Sequence, residues 1–452
     1  MTSALARAPR RVAPDLRGPQ RLAILLALAV ILAACGAGDG GAGIDRDWVA
    51  VHDTVGDTII VRTVAGSVWR GEARLVPEVT IGTLEGEDAY MFGRINAIAV
   101  DDAGAIYVYD AQARALRKYG PDGEYLMTIG RAGQGPGEYR NPDSGLGILP
   151  DGRIVLRDPG NARFQLYTAD GAPAGTVPLR GGYMTTDPLV IDAEGGIYTP
   201  AILGAVGPDQ PLQMGMVRYR PDGQPGDTVV QPTWGGEAPL QLGDTVVQPK
   251  WGEDPPELTA TMEGGFSRRP VPFAPRSVSA FSPIGQFLGG FSDRYALHVP
   301  QPDGRILRIE RTVEPVPVHP EERERAERLT IRAMRRVQSD WRWNGPSIPG
   351  TKPVFHAIQV GQDGRLWVAV SQPAEPVPAD EIEEPDDDLP PQRWREPLVY
   401  DVFEADGRYL GPVRVPAGFQ PYPHPVFRGD HVWAVVLGEF DVPTITRFRI
   451  EH

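Results

Sequence analysis

One phrase recurs six times along the 452-residue chain: an alternating apolar run, a tight Asp/Gly turn, a second apolar run and a second Asp-Gly turn. The first copy reads AIAV at 97–100, turns at 101–104, continues AIYV at 105–108 and LRKY at 116–119, and turns again at Asp122-Gly123. The next three copies turn at Asp151-Gly152 and Asp170-Gly171, at Gly195-Gly196 and Asp222-Gly223, and at Gly285 and Asp303-Gly304. The last two turn at Asp363-Gly364 and Asp406-Gly407, and at Gly429-Asp430. In three copies the turn glycines stand 19 residues apart: Gly104 to Gly123, Gly152 to Gly171 and Gly285 to Gly304. Unrelated Asp-Gly pairs would not keep that spacing.

Such a phrase describes a four-stranded antiparallel sheet. Period-2 alternation gives each strand two faces to bury, and Asp-Gly supplies the positive φ of a two-residue hairpin. A lone sheet of this kind covers neither face. The copies must therefore stack, and radial stacking into a closed ring also protects the edges. The expected fold class is all-β, a six-bladed β-propeller with one inserted helix, spanning residues 49–452 as one domain. The strand before the first copy, TIIVRT at 58–63, is expected to close the ring with the C-terminal strands. Composition agrees, because 53 Gly and 47 Pro leave little room for long helices.

The segment after the first copy, GRAGQGPGEY at 130–139, resembles the inter-blade loop G-x-x-G-x-G-P-G-E-[FY] of NHL-repeat propellers. This likeness covers residues 93–178, and the other blades follow the NHL-repeat or TolB-like pattern more loosely. The resemblance implies a ligand or metal site at one mouth of the central channel. It also implies two functional classes, since NHL-like propellers include binding proteins and a zinc lyase that uses several histidines at the channel. Fold alone does not choose between them.

The N-terminus reads as an address. Arg7, Arg10, Arg11, Arg17 and Arg21 precede an unbroken apolar run at 22–34. A spanning helix needs about 20 apolar residues, so the run reads instead as the core of a secretory signal peptide, residues 1–34. Ala13 and Pro14 break the apolar positions that a twin-arginine signal would need after Arg10-Arg11. The run ends Leu32-Ala33-Ala34-Cys35, which resembles the bacterial lipobox, cut before a cysteine that is then acylated. Cys35 is the sole cysteine, so no intrachain disulfide or Cys-based zinc site can form. Residues 35–48, with GAGDGGAG after the cysteine, read as a flexible tether. Gly36 at the position after the cysteine resembles lipoproteins sorted to an outer membrane. The expected location is the bacterial cell envelope, lipid-anchored to the outer membrane at its periplasmic or surface face. Without residues 1–34 the chain carries 40 basic and 58 acidic residues, a net charge of −18. That balance argues against a nucleic-acid partner and should hold the body off an anionic bilayer.

Insertions are expected at about 226–275, 313–350 and 373–391. The first holds a tandem duplication, GDTVVQPTWG at 226–235 and GDTVVQPKWG at 243–252, identical at nine of ten positions. It reads as a duplicated surface loop, with a two-tryptophan binding lobe as the alternative. The second holds a helix with Pro320 in its first turn, Glu321, Glu322 and Glu324 at its start, and Arg332, Arg335 and Arg336 at its end. Its apolar face is expected at Ala326, Leu329, Ala333, Met334 and Val337, against the propeller rim. The third holds eight acidic residues among prolines and reads as a solvated, disordered loop without EF-hand spacing.

Catalytic motifs are missing. The sequence has no H-E-x-x-H, G-x-S-x-G or Walker A pattern, and no helical pattern follows the glycines at 133–137 that would make them a phosphate cradle. One repeat-equivalent set stands out. Eight residues before each first turn lie Asn96, Ser144, Asp187, Ser277, His356 and Tyr422, all polar, while the following strand positions are mostly apolar. These six are the candidate ligand-binding ring at the channel mouth. Asp187 and His356 are the best metal-ligand types among them, and a metal would need waters or neighbours such as His424. The reading is a lipid-anchored envelope propeller acting as a non-catalytic binding or scaffold protein for a protein, peptide or glycan. The alternative is a metal-dependent hydrolase or lyase, lactonase-like or NHL-lyase-like, with its site in the channel. No cofactor is identified beyond a candidate divalent metal, no catalytic residue is assigned, and a monomer is expected.

Overall fold

The computed structural model describes residues 48–179, 184–202, 214–222, 245–382 and 389–452. The expected signal peptide at 1–34, Cys35, the first copy of the duplication and residues 383–388 lie outside these.

Six four-stranded antiparallel sheets follow one another. The first runs Ile95–Val100, Ile106–Asp110, Ala115–Tyr119 and Tyr125–Ile129. The second runs Leu146–Ile148, Ile154–Asp158, Arg163–Tyr167 and Pro173–Pro178, and the third Val190–Ile191, Ile197–Ile202, Met214–Tyr219 and Thr245–Val247. The fourth consists of Ser277–Phe281, Phe287–Phe291, Ala296–Pro300 and Ile306–Arg311. The fifth consists of Phe355–Val360, Leu366–Val370, Val399–Phe403 and Tyr409–Arg414. The sixth takes Val426–Arg428, His431–Leu437 and Pro443–Glu451 from the C-terminus and Ala73–Ile81 from the N-terminus.

The buried clusters show that these sheets form a closed ring. Leu116 and Tyr109 of blade one meet Leu146 and Leu156 of blade two. Val155 and Phe164 then meet Ile197 and Val217 of blade three, and Tyr198 and Met216 meet Phe281 of blade four. Leu288 and Leu297 meet Val368 and Phe403 of blade five. Trp367 and Tyr400 meet Phe427 and Val432 of blade six, and Trp433 and Ile445 return to Ile98 and Val108 of blade one. Each sheet thus buries both faces between its neighbours, as the period-2 pattern requires. The chain is an all-β six-bladed propeller with one α-helix among the described residues.

Three expectations about the strands and turns need correction. Thr58–Ala65 does not close the ring; Ala73–Ile81 does, pairing antiparallel with Pro443–Glu451. Thr58–Ala65 is already paired in a tight hairpin with Val49–Val55. Its one free edge joins Ile306–Arg311 in parallel at the outside of blade four, where Val61 is buried. The Asp-Gly turns are mostly not two-residue hairpins. In blade one Gly104 N–H donates to Asp101 O and Asp101 N–H to Ala105 O, which makes a three-residue loop. Gly104, with φ +86°, takes the left-handed position that only the glycine meets without strain. The insertion expected at 226–275 is in part blade, because Thr245–Val247 of the second duplicated copy supplies the outer strand of blade three.

The helix, Pro320–Arg335, begins with a capping box in which His319 Nδ1 accepts from Glu321 N–H at 3.3 Å and Glu322 Oε2 accepts from His319 N–H at 3.2 Å. Its buried residues are Thr330 and Met334, and Leu329 is exposed. It packs on the hairpin Glu257–Met262/Gly265–Pro270 rather than on the rim, sharing a separate small core of Leu258, Ala260, Met334, Trp341 and Ile348. Two expected insertions therefore form one satellite module. Buried Lys352 ties it to blade five through Glu322 at 2.9 Å and Glu396 at 2.8 Å. Within the third expected insertion, Glu375–Pro376 pairs with Trp394–Arg395, and Arg395 reaches Glu381 at 2.9 Å. Backbone pairing and this ion pair fix the described ends of that insertion, while five of its eight acidic residues, at 383–388, lie outside the described residues.

Candidate functional site

Asn96, Ser277 and His356 lie on innermost strands and Ser144, Asp187 and Tyr422 just before them, and buried polar side chains fix the loops that lead into these strands. In blade one the Asp110 carboxylate accepts from the backbone N–H groups of Gly93, Arg94, Gln112 and Ala113 at 2.9–3.2 Å. Asp158 does the same in blade two for Arg140 and Asn141, and Ser292 in blade four for Arg276. These residues follow Asn96, Ser144 and Ser277 by 14 or 15 positions. In these three blades they form a repeat-equivalent polar set that fixes the loop before the inner strand, and the same spacing count would have found them.

The structure brings some of the six candidates together and leaves others apart. Asp187 precedes the inner strand of blade three, and Tyr422 and His424 precede that of blade six. These two blades stand opposite in a six-membered ring. Yet Asp187 Oδ1 lies 4.0 Å from His424 Nε2, so the two loops meet across the mouth. Tyr422, exposed, sets the edge of its ring against His424 at 4.8 Å. On the other side of the imidazole, Gln359 Nε2 donates to His424 Nδ1 at 2.6 Å. Burial holds the His424 pKa below the ordinary histidine range, with Asp187 pulling the other way. A neutral imidazole that accepts at Nδ1 carries its proton at Nε2. That buried Nε2 has no partner, and neither does the buried Oε1 of Gln359.

Ser277 faces other work. Its Oγ accepts from Trp251 N–H at 3.1 Å, while Ser279 Oγ accepts from Trp251 Nε1 at 3.1 Å. The indole stacks on His298 at 5.2 Å. The tryptophan of the second duplicated copy is thus a pin on blade four and not a free binding lobe. His356 sits in a β-bulge between Phe355 and Ala357, half-buried, with its pKa lowered by burial against the pull of Glu396. Asn96 occupies the same bulge in blade one. The Ser144 carbonyl accepts from Leu146 N–H. Among the described residues no hydrogen bond, ion pair or ring contact joins Asn96, Ser144 or His356 to the Asp187–His424 pair.

Besides His424, expected only as a neighbour, two residues of the site were not in the ring of six. Gln359 stands three positions after His356, where the other blades have Ala99, Gly147, Val190, Ala280 and Pro425; its polarity was the available signal. Asp143, next to Ser144, is buried against Arg157 and accepts from Thr185 N–H at 3.1 Å, which fixes the segment that delivers Asp187. Its carboxyl pKa is raised by burial despite Arg157. No three His, Cys, Asp or Glu side chains among the described residues come close enough to hold a metal.

Comparison with known proteins agrees with the ring. Residues 75–145 match the family model DUF5128, described as a 6-bladed beta-propeller. No curated protein matches the chain. Among solved structures, the chain is similar to a DUF4221-family member from Bacteroides vulgatus, with 11% identity and a TM-score of 0.46, over 84% of this chain and 99% of that one. It is also similar to virginiamycin B lyase from Staphylococcus aureus, at 11% identity and TM-score 0.35 over 79% and 94% of the two chains. A gluconolactonase from Xanthomonas campestris shows 14% identity and TM-score 0.35 over 83% and 97%.

Proposed function

We propose that the protein is a lipid-anchored envelope propeller that binds a hydroxyl-bearing ligand, a glycan, at the channel mouth without transforming it. The observation that carries this reading is the unpartnered His424 Nε2–H facing the Asp187 carboxylate across 4.0 Å. The gap is too long for a direct hydrogen bond. A single hydroxyl about 2.8 Å from both atoms would accept from His424 and donate to Asp187. The exposed Tyr422 ring beside them offers an apolar face of the kind that covers a sugar ring. A metal-dependent reaction would need a third ligand beside Asp187 and His424, and the described residues supply none.

Anchoring rests on Leu32-Ala33-Ala34-Cys35 at the end of the apolar run. A fatty-acid analogue should label the wild type and not Cys35→Ser. For the binding reading, the chain from residue 36, fluorescently labelled, is applied to an array of neutral oligosaccharides. Retention on a subset, lost in His424→Ala and in Tyr422→Ala with the circular dichroism spectrum unchanged, is expected. No retention, or retention indifferent to both substitutions, would overturn it.

A further inference from the structure

The outer edge of blade four is not blunted as other open edges of the ring are. A free strand edge invites a further strand, and proteins usually guard it with charge, proline, a bulge or shortness. The outer strands of blades one and two are paired with a register shift, and that of blade three has three residues. Blade four instead ends in Val49–Val55, VAVHDTV, seven residues with no proline, one acidic side chain and unbroken register from Ala50 to Val55. Among the described residues no strand lies beyond it. The two-residue turn Gly56-Asp57 makes Val55 and Thr58 a hydrogen-bonded pair. Val51, Asp53 and Val55 therefore direct their backbone groups at Thr58–Ala65, while Ala50, His52 and Thr54 direct theirs outward. Thr54 N–H is found on the neighbouring Asp53 carboxylate at 2.8 Å, as befits an outward donor with no strand beside it. Ala50 packs toward the core of blades four and five. Alternation turns Val49, Val51 and Val55 away from that core, and all three are exposed.

This strand is complementary to itself. A two-fold axis through His52 is the antiparallel register that overlaps all seven residues. It sets Val49 against Val55, Ala50 against Thr54 and Val51 against Asp53 of the second copy, with no two carboxylates opposed. An axis through Asp53 would oppose them. In the His52 register the outward groups of Ala50, His52 and Thr54 meet their counterparts as hydrogen-bonded pairs, about six bonds in all. Thr54 N–H exchanges the Asp53 carboxylate for the Ala50 carbonyl of the second copy. The two strands then begin about 20 Å apart, and the tether read at 35–48 has a mean reach of about 20 Å. Both copies can therefore be held by one bilayer.

We propose that Val49–Val55 pairs edge to edge with the same strand of a second copy, making a two-fold dimer in place of the expected monomer. The proposal is independent of the glycan site and is tested without the lipid anchor. The chain from residue 36 has no cysteine, so a single introduced thiol reports the register. In His52→Cys the two facing Cα atoms stand about 5.5 Å apart, within disulfide reach, and mild oxidation should give a covalent dimer. In Val55→Cys the two thiols belong to residues about 20 Å apart and should stay uncoupled. Sedimentation velocity should show a concentration-dependent dimer. His52→Pro deletes an outward N–H from each copy while sparing the hairpin, and should weaken the dimer about 30-fold. Should that variant fail to fold, the two cysteine variants decide. A monomer at every concentration, or a dimer indifferent to His52→Pro, overturns the proposal. So does a His52→Cys chain that does not couple, or couples no more than Val55→Cys.

Discussion

Arg311 and Asp401 join blade four to blade five within the stacked sheets, and their removal tests the account of how the ring holds together. Arg311 Nη1 donates to Asp401 Oδ2, and Tyr409 Oη donates to Asp401 Oδ1 at 2.6 Å. The Arg311 guanidinium lies 3.9 Å over the Tyr409 ring and 5.5 Å from that of Tyr295. Burial opposes the charge on Arg311, but Asp401 and the two tyrosines outweigh it and raise the guanidinium pKa. Asp401→Ala removes the counter-charge and leaves a desolvated cation and a phenol without an acceptor. Breaking one side of such a buried pair costs about 3–5 kcal/mol. The Arg311 side chain is 20% exposed, so water reaches it and the lower end, about 3 kcal/mol, applies. Replacing both partners, Arg311→Met with Asp401→Leu, leaves no stranded charge but still leaves Tyr409 Oη without its acceptor, so a residual cost of about 1 kcal/mol is expected. Urea unfolding followed by tryptophan fluorescence reads the three variants against the wild type. The double variant should regain most of what the single one loses. A single-variant cost below about 1 kcal/mol, the range of an exposed pair, would refute the reasoning. A double variant no more stable than the single would do the same.

Two further outcomes follow from named groups. His298, His356 and His424 all have pKa values lowered mainly by burial. Below about pH 6.5, the ordinary histidine value, the unfolded chain takes up protons that the folded one refuses. Stability should therefore fall as pH drops from there and level off below the folded pKa values. Urea midpoints measured across that range should flatten when all three are replaced by Gln, and an unchanged slope would assign the acid sensitivity elsewhere. Deleting residues 226–242 removes one 17-residue repeat unit and brings the GDTVVQP copy that forms Thr245–Val247 close behind the Asp222-Gly223 turn. Shortening that connection from 22 to 5 residues should stabilise blade three by about 1 kcal/mol through loop-closure entropy. A loss of thermal stability would show that the first copy contributes to the fold.

The blades were legible because each is built from neighbouring chain. Alternation within Ile106–Asp110 or Leu366–Val370 and a glycine at each turn are local signals, and the pairing they imply is also local. Ring closure is not local. Thr58–Ala65 and Ala73–Ile81 both read as strands, and nothing in their alternation says which reaches the C-terminus. The difference lies in what each buries once placed: Leu75 between blades five and six, Ile81 between six and one, and Val61 between four and five. Those surfaces exist only after the ring has formed.

The same distinction explains the candidate site. Counting back from a turn presumes that every turn is alike. The first spans Asp101 to Ala105, while the sixth is a two-residue loop between Arg428 and His431. A fixed count therefore lands differently in the two blades. It selected Tyr422, when His424 is the side chain held by Gln359 and faced by Asp187. The repeat places one loop from each blade around the mouth, and there its authority ends. Gln359, Asp187 and His424 stand at non-equivalent positions on three blades, so no periodic search could have assembled them. Departure from the repeat is itself the useful signal. A position that is Ala, Gly, Val, Ala and Pro in the other blades and Gln in blade five is not maintained by blade packing. On this molecule that departure points at His424, the imidazole that Gln359 holds and Asp187 faces.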